Sequence, residues 1–138
     1  MMYDEEMIEP MRRELTDLGI QETRTPEEVE KALANPGTTL VVVNSVCGCA
    51  AANARPALAV AMHKTPKKPA QAITVFAGND RDATAKARSY LVGYPPSSPS
   101  IALLKDGDVV FMLERHQIAG RNAEDIGRDI VGAFEQYC

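Results

Sequence analysis

Two cysteines separated by one glycine are the residues of this chain best suited to chemistry. They lie in the segment Val46-Cys47-Gly48-Cys49-Ala50, after the apolar run from Leu40 to Asn44 and before an alanine-rich stretch with helical character. A cysteine at the start of a helix has backbone N–H donors and the positive end of the helix dipole beside it, and both favour the thiolate. We therefore predict a reactive thiol at this junction, with a pKa below that of a free cysteine.

The single glycine between the thiols limits what the pair can do. A disulfide between Cys47 and Cys49 would close a short, strained ring, and a strained disulfide is easily reduced. Such a pair suits turnover better than permanent cross-linking. Two other interpretations stay open, namely inert cysteines packed as small apolar side chains and ligands of a metal ion. Because the paired Cys-x-x-Cys spacing of structural zinc sites is missing, we predict no metal site.

Length, composition and charge describe an ordinary globular domain. The 138 residues are enough for one domain with a sizeable core, and 45% hydrophobic and 25% charged residues are typical of soluble proteins. The net charge of −4 offers no broad basic surface, and the short basic run at 64–68 is better explained as a solvated loop. We therefore predict a single domain over residues 1–138 that binds no nucleic acid.

The sequence also indicates a compartment. The segment from Met1 to Glu6 is acidic, unlike a secretory signal. A membrane span needs about 18 apolar residues, and no apolar run approaches that length. Cys47, Cys49 and Cys138 are too unevenly spaced for the disulfide framework of a secreted protein. We therefore expect a cytoplasmic protein with reduced thiols and no membrane association, in which the role of the terminal Cys138 stays open.

The elements that position the cysteines follow from apolar periodicity and from capping and turn residues. Pro10 is expected to begin or kink the first helix, Pro56 to kink the third, and Asp106-Gly107 to form a tight hairpin turn. The order α, β, α, β, α, β, α, β, β, α favours an α/β fold with parallel strands first and an antiparallel hairpin last. The predicted helices cover about residues 8–18, 26–33, 49–63, 79–91 and 122–137, and the strands about 20–24, 38–44, 72–77, 100–104 and 109–113.

Two landmarks of the chain recur in a known fold. One is the strand followed by Cys47-Gly48-Cys49 and a helix containing Pro56, and the other is Pro99 followed at once by the strand at 100–104 and the turn Lys105-Asp106-Gly107. These landmarks resemble the thioredoxin fold and, within it, the bacilliredoxins, a family of small proteins with a Cys-Gly-Cys motif. The resemblance covers essentially the whole chain. It implies a thioredoxin-like three-layer α/β/α fold with a mixed central sheet and an extra N-terminal helix.

The resemblance also implies a role for the residues around the thiols. Cys47 would be the nucleophile that attacks a mixed disulfide on a client protein, and Cys49 a candidate resolving thiol. The small thiol would be bacillithiol, a co-substrate, with no tightly bound cofactor, and the partners would be S-bacillithiolated client proteins. Either free bacillithiol or Cys49 would then clear the adduct from Cys47. In this fold Pro99 follows a cis peptide bond from Ser98 and faces the reactive cysteine.

Further residues are candidates for shaping the site. Gly48 separates the thiols, and Gly120 falls where thioredoxins keep a glycine beside the active site. Asn53 and Ser45 are polar candidates for orienting the thiol. Three cations follow the predicted hairpin, and two interpretations apply to them. They face the site and bind an anionic thiol such as bacillithiol, which carries a malate group, or they lie at a solvated end of the hairpin. They are Arg115, His116 and Arg121.

The function predicted from these residues and the resemblance is thiol–disulfide exchange at Cys47 that removes bacillithiol from client proteins after oxidative stress. One alternative is a general protein disulfide isomerase or reductase that needs no small thiol. Another is a non-enzymatic binding module on a thioredoxin scaffold, because a fold does not fix a function. The absence of tryptophan and the one-residue spacer distinguish the chain from ordinary thioredoxins, which argues against thioredoxin reductase as a partner.

Overall fold

A five-stranded mixed sheet forms the centre of the structure, a computed structural model that describes residues 2–138. The strand order is β1-β3-β2-β4-β5, with β1, β3 and β2 parallel and β4 and β5 antiparallel to their neighbours. The strands are β1 Gln21–Glu22, β2 Thr38–Asn44, β3 Gln71–Phe76, β4 Ser100–Lys105 and β5 Asp108–Leu113. The helices are α1 Glu5–Thr16, α2 Pro26–Leu33, α3 Arg55–Lys64, α4 Arg81–Ser89, α5 Arg115–Ile118 and α6 Ala123–Tyr137, with a π-helical turn at Ala50–Ala54.

Two apolar clusters cover the opposite faces of the sheet. Strand β2 is buried at every residue, and alternate side chains along a strand point to opposite faces. Leu40 and Val42 therefore pack with α1, α3 and α6, whereas Val41 and Val43 pack with α2 and α4. This arrangement confirms the predicted three-layer α/β/α fold with an additional N-terminal helix. No helix within residues 2–138 has the length and apolar character needed to cross a membrane.

The local signals that end and join the elements act as predicted. Thr25 caps α2 by accepting a hydrogen bond from the Glu28 N–H at 3.2 Å, and Asn122 caps α6 by accepting one from Asp125 at 2.8 Å. Asp106 and Gly107 turn the hairpin with φ angles of 51° and 86°, and two successive residues with positive φ match the twist of the strands. The predicted hairpin is therefore confirmed.

The helix that follows the cysteines differs from its prediction. Residues 50–54 form a π-helical turn, in which Arg55 donates its backbone N–H to the Ala50 carbonyl, five residues back. Pro56 has no N–H to donate and its ring crowds the preceding turn, so a regular α-helix over residues 49–63 is disfavoured. The regular helix α3 begins only at Arg55, with the proline in its first turn.

Two further helices differ from their predictions. Helix α1 begins at Glu5, because Asp4 accepts a hydrogen bond from the Glu6 N–H at 3.0 Å, so Pro10 lies inside the helix. The short helix α5 was not predicted; for its residues the sequence left open either a cationic face of the site or a solvated hairpin end. At its start the Glu114 N–H donates to Gln117 Oε1 at 3.0 Å, and the Gln117 N–H donates to the Glu114 carbonyl at 2.9 Å.

A buried arginine fastens α1 to the edge of the sheet. Nη1 of Arg12 lies 2.7 Å from carboxylate oxygens of both Glu22 and Asp80, and its guanidinium stacks 5.0 Å from the centre of the Phe76 ring. Nη2 also contacts Glu5 at 3.0 Å. A buried guanidinium is tolerated where carboxylates and hydrogen bonds compensate its lost hydration, as they do here.

Candidate active site

The cysteine pair lies in the loop between β2 and the π-helical turn, as the sequence predicts. The carbonyl of Cys47 accepts hydrogen bonds from the Ala50 and Ala51 N–H groups at 3.0 and 3.1 Å, so Cys47 begins the helical turn. Both cysteines are half-buried and Gly48 between them is exposed. The thiols of Cys47, Cys49 and the exposed Cys138 are free.

Ser45 makes the closest polar contact with the Cys47 thiol. Its Oγ donates a hydrogen bond to Cys47 Sγ at 3.2 Å and accepts one from the Cys47 N–H at 3.4 Å. Burial by itself raises the pKa of Cys47. The Ser45 hydroxyl, the N–H groups of Ala50 and Cys49 and the charge of Arg115 outweigh this effect, so the pKa lies below its ordinary value. Ser45, a candidate from the sequence for orienting the thiol, is thus in direct contact with it.

Arg55 holds the backbone of Ser45 in place through hydrogen bonds. The side chain is buried, and its Nη1 donates to the Ser45 carbonyl at 2.8 Å and to Asn44 Oδ1 at 3.0 Å. Its Nε lies 3.2 Å from Glu14 Oε2 on α1. The sequence interpretation missed this residue, although a lone arginine within an alanine-rich helix was a signal for it.

The cis-proline segment lies across a cleft from the thiol. The Ser98–Pro99 peptide bond is cis, as expected from the resemblance, and Pro99 is buried. Ser98, Cys47 and Arg115 line one cleft of about 300 Å³, to which Tyr3 also contributes. The Arg115 N–H donates to Ser97 Oγ at 2.7 Å and so joins α5 to the cis-proline segment.

The remaining predicted site residues divide into two groups. His116 lines a neighbouring cavity together with Arg115. Asn53 instead donates its side-chain N–H to the Arg121 carbonyl, and the Arg121 guanidinium pairs with Asp129 at 2.7 Å. Gly120 follows α5 with a φ of 78° and is exposed. We predicted contacts between the reacting groups and three residues, Asn53, Gly120 and Arg121. These contacts stay predictions.

The arrangement is suited to nucleophilic attack by sulfur. A thiolate is the reactive form of cysteine, and the groups around Cys47 favour that form in an open cleft. Among residues 2–138, no group of three His, Cys, Asp or Glu side chains is placed to hold a metal ion.

Comparison with known proteins identifies the family. A family model described as disulphide isomerase matches residues 3–138. A protein named bacilliredoxin from Salinibacter ruber is 56% identical over 140 residues, covering 100% of this chain and 82% of that protein. A bacilliredoxin from Geobacillus kaustophilus is 52% identical over 133 residues, covering 96% of this chain and 91% of that protein. A third, from Koribacter versatilis, is 53% identical over 139 residues, covering 99% and 94%.

A solved structure gives independent support for the fold. It is described as having a thioredoxin fold, and it matches with a TM-score of 0.58 and 12% identity over 80% of this chain and 92% of its own. The similar proteins span nearly the full length of the chain, including the cysteine loop and the cis-proline segment. The chain therefore belongs to the bacilliredoxin family, thiol–disulfide oxidoreductases that share the thioredoxin fold.

Proposed function

We propose that this protein removes bacillithiol from client proteins by thiol–disulfide exchange at Cys47. The observation that carries the proposal is the Ser45 hydroxyl at 3.2 Å from Cys47 Sγ, in a cleft that also contains Ser98 of the cis-proline segment. A thiol whose pKa is lowered in this way is present as thiolate at neutral pH in a larger fraction than a free cysteine. The names of the similar proteins support bacillithiol as the small thiol.

In the first step the small thiol moves from the client cysteine to Cys47. The client cysteine is reduced and Cys47 is oxidised to the same extent, so the two proteins together undergo no net redox change. The Cys47 thiolate attacks the bacillithiol sulfur of the mixed disulfide, and a bond forms between these two sulfurs. The bond between bacillithiol and the client cysteine breaks, and the client sulfur leaves as a thiolate that takes a proton from water. The client is thus restored while Cys47 carries the adduct.

The adduct on Cys47 has two balanced routes of removal. Free bacillithiol attacks the adduct, releasing the Cys47 thiolate and bacillithiol disulfide. Alternatively, the Cys49 thiolate attacks Cys47 Sγ, releasing bacillithiol and leaving a disulfide between the two cysteines. We place the reaction in the cytoplasm, because the few, unevenly spaced cysteines suit a reducing compartment.

The transfer is tested with a variant that retains only the proposed nucleophile. The Cys49→Ala, Cys138→Ser protein is incubated with a bacillithiolated client, and both proteins are weighed by mass spectrometry. We expect Cys47 to gain the mass of one bacillithiol adduct while the client returns to its free-thiol mass. The matched control, Cys47→Ala, Cys138→Ser, retains Cys49 alone and is expected to accept no adduct at a comparable rate. A folded protein whose Cys47 accepts no adduct would contradict the proposal.

A general disulfide isomerase is the second candidate, favoured by the description of the matching family model. Refolding of a protein with scrambled disulfides distinguishes the two. Isomerisation at full rate without bacillithiol would support the second candidate. The remaining alternative, a binding module without catalysis, would be supported if Cys47 and Cys49 both alkylate no faster than a free thiol at neutral pH.

A further inference from the structure

A second cavity lies directly beside the Cys47 cleft. Its volume is about 530 Å³, within the range of small-molecule sites, and it shares Ser98 and Arg115 with the cleft as common walls. Pro95, Pro96 and Ala119 supply its apolar lining. A molecule whose sulfur reacts with Cys47 in the cleft can therefore extend past Ser98 and Arg115 into the second cavity.

Arg88 is a half-buried cation of this cavity that has no carboxylate partner among residues 2–138. Its Nη2 donates to the Ser97 carbonyl at 3.3 Å, and its Nε is buried without a hydrogen-bond partner among residues 2–138. Arg12 and Arg55, which are more deeply buried than Arg88, each lie next to a carboxylate. Burial without such a partner lowers the pKa of Arg88. A carboxylate bound in the cavity would give the guanidinium a charge-assisted partner that residues 2–138 do not supply.

The other charged groups of the cavity are also on balance cationic. Arg115 and His116 contribute from α5. Glu114 is the carboxylate among the lining residues, and its backbone carbonyl accepts the Gln117 N–H at 2.9 Å at the start of α5. Because two arginines line the cavity with one carboxylate, the lining carries a net positive charge that can attract an anion.

We propose that this cavity is the subsite for a carboxylate of the small thiol and that Arg88 is its specificity-determining residue. This proposal rests on the proposed exchange at Cys47. A guanidinium presents several N–H donors in one plane, which matches the two oxygens of a carboxylate. The carboxylate binds beside Arg88 while the sulfur of the same molecule lies at Cys47. Binding changes no oxidation state, and the exchange proceeds as above.

The test compares two small disulfides that differ in charge. In the Cys49→Ala, Cys138→Ser background, the rate constant of Cys47 is measured with 5,5′-dithiobis(2-nitrobenzoate), which carries carboxylates, and with neutral 4,4′-dithiodipyridine. Arg88→Gln is expected to lower the first rate constant about tenfold and to leave the second within about twofold, since the lost contact is with the carboxylate. Neither reagent contains a client protein, so acidic side chains of a client cannot account for the preference.

The matched control is Lys86→Gln on the same helix, α4. It removes the same charge, but its Nζ lies 3.3 Å from Glu30 on α2. We expect it to leave the ratio of the two rate constants unchanged. An equal ratio in Arg88→Gln and Lys86→Gln would overturn the subsite.

A measurement on the protein with native Arg88 covers the case in which Arg88→Gln does not fold. L-malate is expected to slow the reaction of Cys47 with the carboxylate reagent more than sodium chloride of the same ionic strength does. Equal slowing by the two salts would overturn the subsite. Cys47 that fails to react with the neutral reagent would instead contradict the proposed function itself, so the two failures are distinguishable.

Discussion

Ser45 and Cys47 are two residues apart, and the turn after β2 brings the serine hydroxyl to 3.2 Å from the cysteine sulfur. A hydroxyl that donates to an anionic acceptor binds more strongly than one that donates to a neutral acceptor. The contact therefore stabilises the Cys47 thiolate more than its thiol, and the pKa falls. Arg55 contributes indirectly, because it fixes the Ser45 carbonyl at 2.8 Å.

Removing this hydroxyl tests its contribution. Ser45→Ala is expected to raise the pKa of Cys47 and to slow its alkylation at pH 7 by roughly three- to tenfold, the effect of losing one hydrogen bond to a charged group at a half-exposed site. The rate constant is measured with iodoacetamide in the Cys49→Ala, Cys138→Ser background. Ser89→Ala, at the exposed end of α4, serves as the control and should change nothing. Equal rates in both variants would show that Ser45 does not activate the thiol.

Local contacts of the site were predictable from the sequence and distant ones were not. Ser45 lies two residues before the first cysteine of the motif, so its role as an orienting group could be inferred. Arg88 and Arg55 depend on partners brought together by folding, such as Ser97 and Glu14. Asn53 was also a reasonable candidate by position, but its amide bonds to the Arg121 carbonyl, a contact between residues 68 apart.

At the scale of elements, the close packing of α3 against α6 supports the helix that follows the cysteines. Gly127 lies on α6 where a Cβ would come within 2.8 Å of Val60 Cγ1 and 3.2 Å of the Ala57 carbonyl. Real Cβ atoms essentially never come within 3.0 Å of another heavy atom, so a Cβ at position 127 would force Val60 or the two helices to shift. Gly132, on the same helix, is exposed, and a Cβ there would have open space within 4 Å beyond its own helix.

These two glycines form a matched pair for measuring the packing. Gly127→Ala is expected to lower the free energy of unfolding by about 1–3 kcal/mol through overpacking. Gly132→Ala is expected to raise it by about 0.5–1 kcal/mol, because alanine is the better helix former in an open position. Urea unfolding followed by circular dichroism gives both values. Equal effects of the same sign would contradict the close approach of α3 and α6.

The elements that carry strong local signals were predicted, and those that depend on hydrogen-bond register were not. Thr25, Asn122 and the Asp106-Gly107 turn act within three residues of themselves, so their sequence is sufficient. The π-helical turn at 50–54 depends on how the helix accommodates Pro56, and α5 is only four residues long, too short for a periodic apolar pattern.

At the scale of the whole molecule, the N-terminal segment is part of the site's support. Tyr3 lines the Cys47 cleft, and its backbone N–H and carbonyl form hydrogen bonds with the Asn79 side chain at 2.8 and 2.9 Å. Helix α1 then carries Glu14, which contacts Arg55. The buried Arg12 joins this helix to β1 and to Asp80. The N-terminal helix expected from the resemblance is thus continuous with the contacts that hold the Ser45 loop.

Arg12→Met tests whether this attachment stabilises the entire domain. It leaves the carboxylate of Asp80 without its closest cation, and breaking a buried ion pair in this way is expected to lower the free energy of unfolding by about 3–5 kcal/mol. Arg24→Met is the control, since its half-exposed guanidinium contacts the same Asp80 at 3.3 Å and is expected to matter by less than about 1 kcal/mol. The values come from urea unfolding. Losses of equal size would contradict the special role of the buried arginine.

The resemblance, more than the periodicity, made the overall fold predictable. Apolar patterns indicate where β2 and β3 lie, but not that they are parallel neighbours in register from Thr39 and Gln71 onward. Strand pairing is set by contacts between distant segments, which no local pattern contains. The same applies to Arg12, whose partners Glu22 and Asp80 lie 10 and 68 residues away.

The pH dependence of Cys47 alkylation tests most directly the claim that this cysteine is an activated thiolate. The rate constant with iodoacetamide is measured across pH in the Cys49→Ala, Cys138→Ser protein. Because only the thiolate reacts, the rate falls as pH drops through the thiol pKa. We predict that the midpoint lies below that of a free cysteine, since the pKa of Cys47 is lowered in the folded protein. A midpoint at or above that of a free cysteine would contradict the activated thiolate.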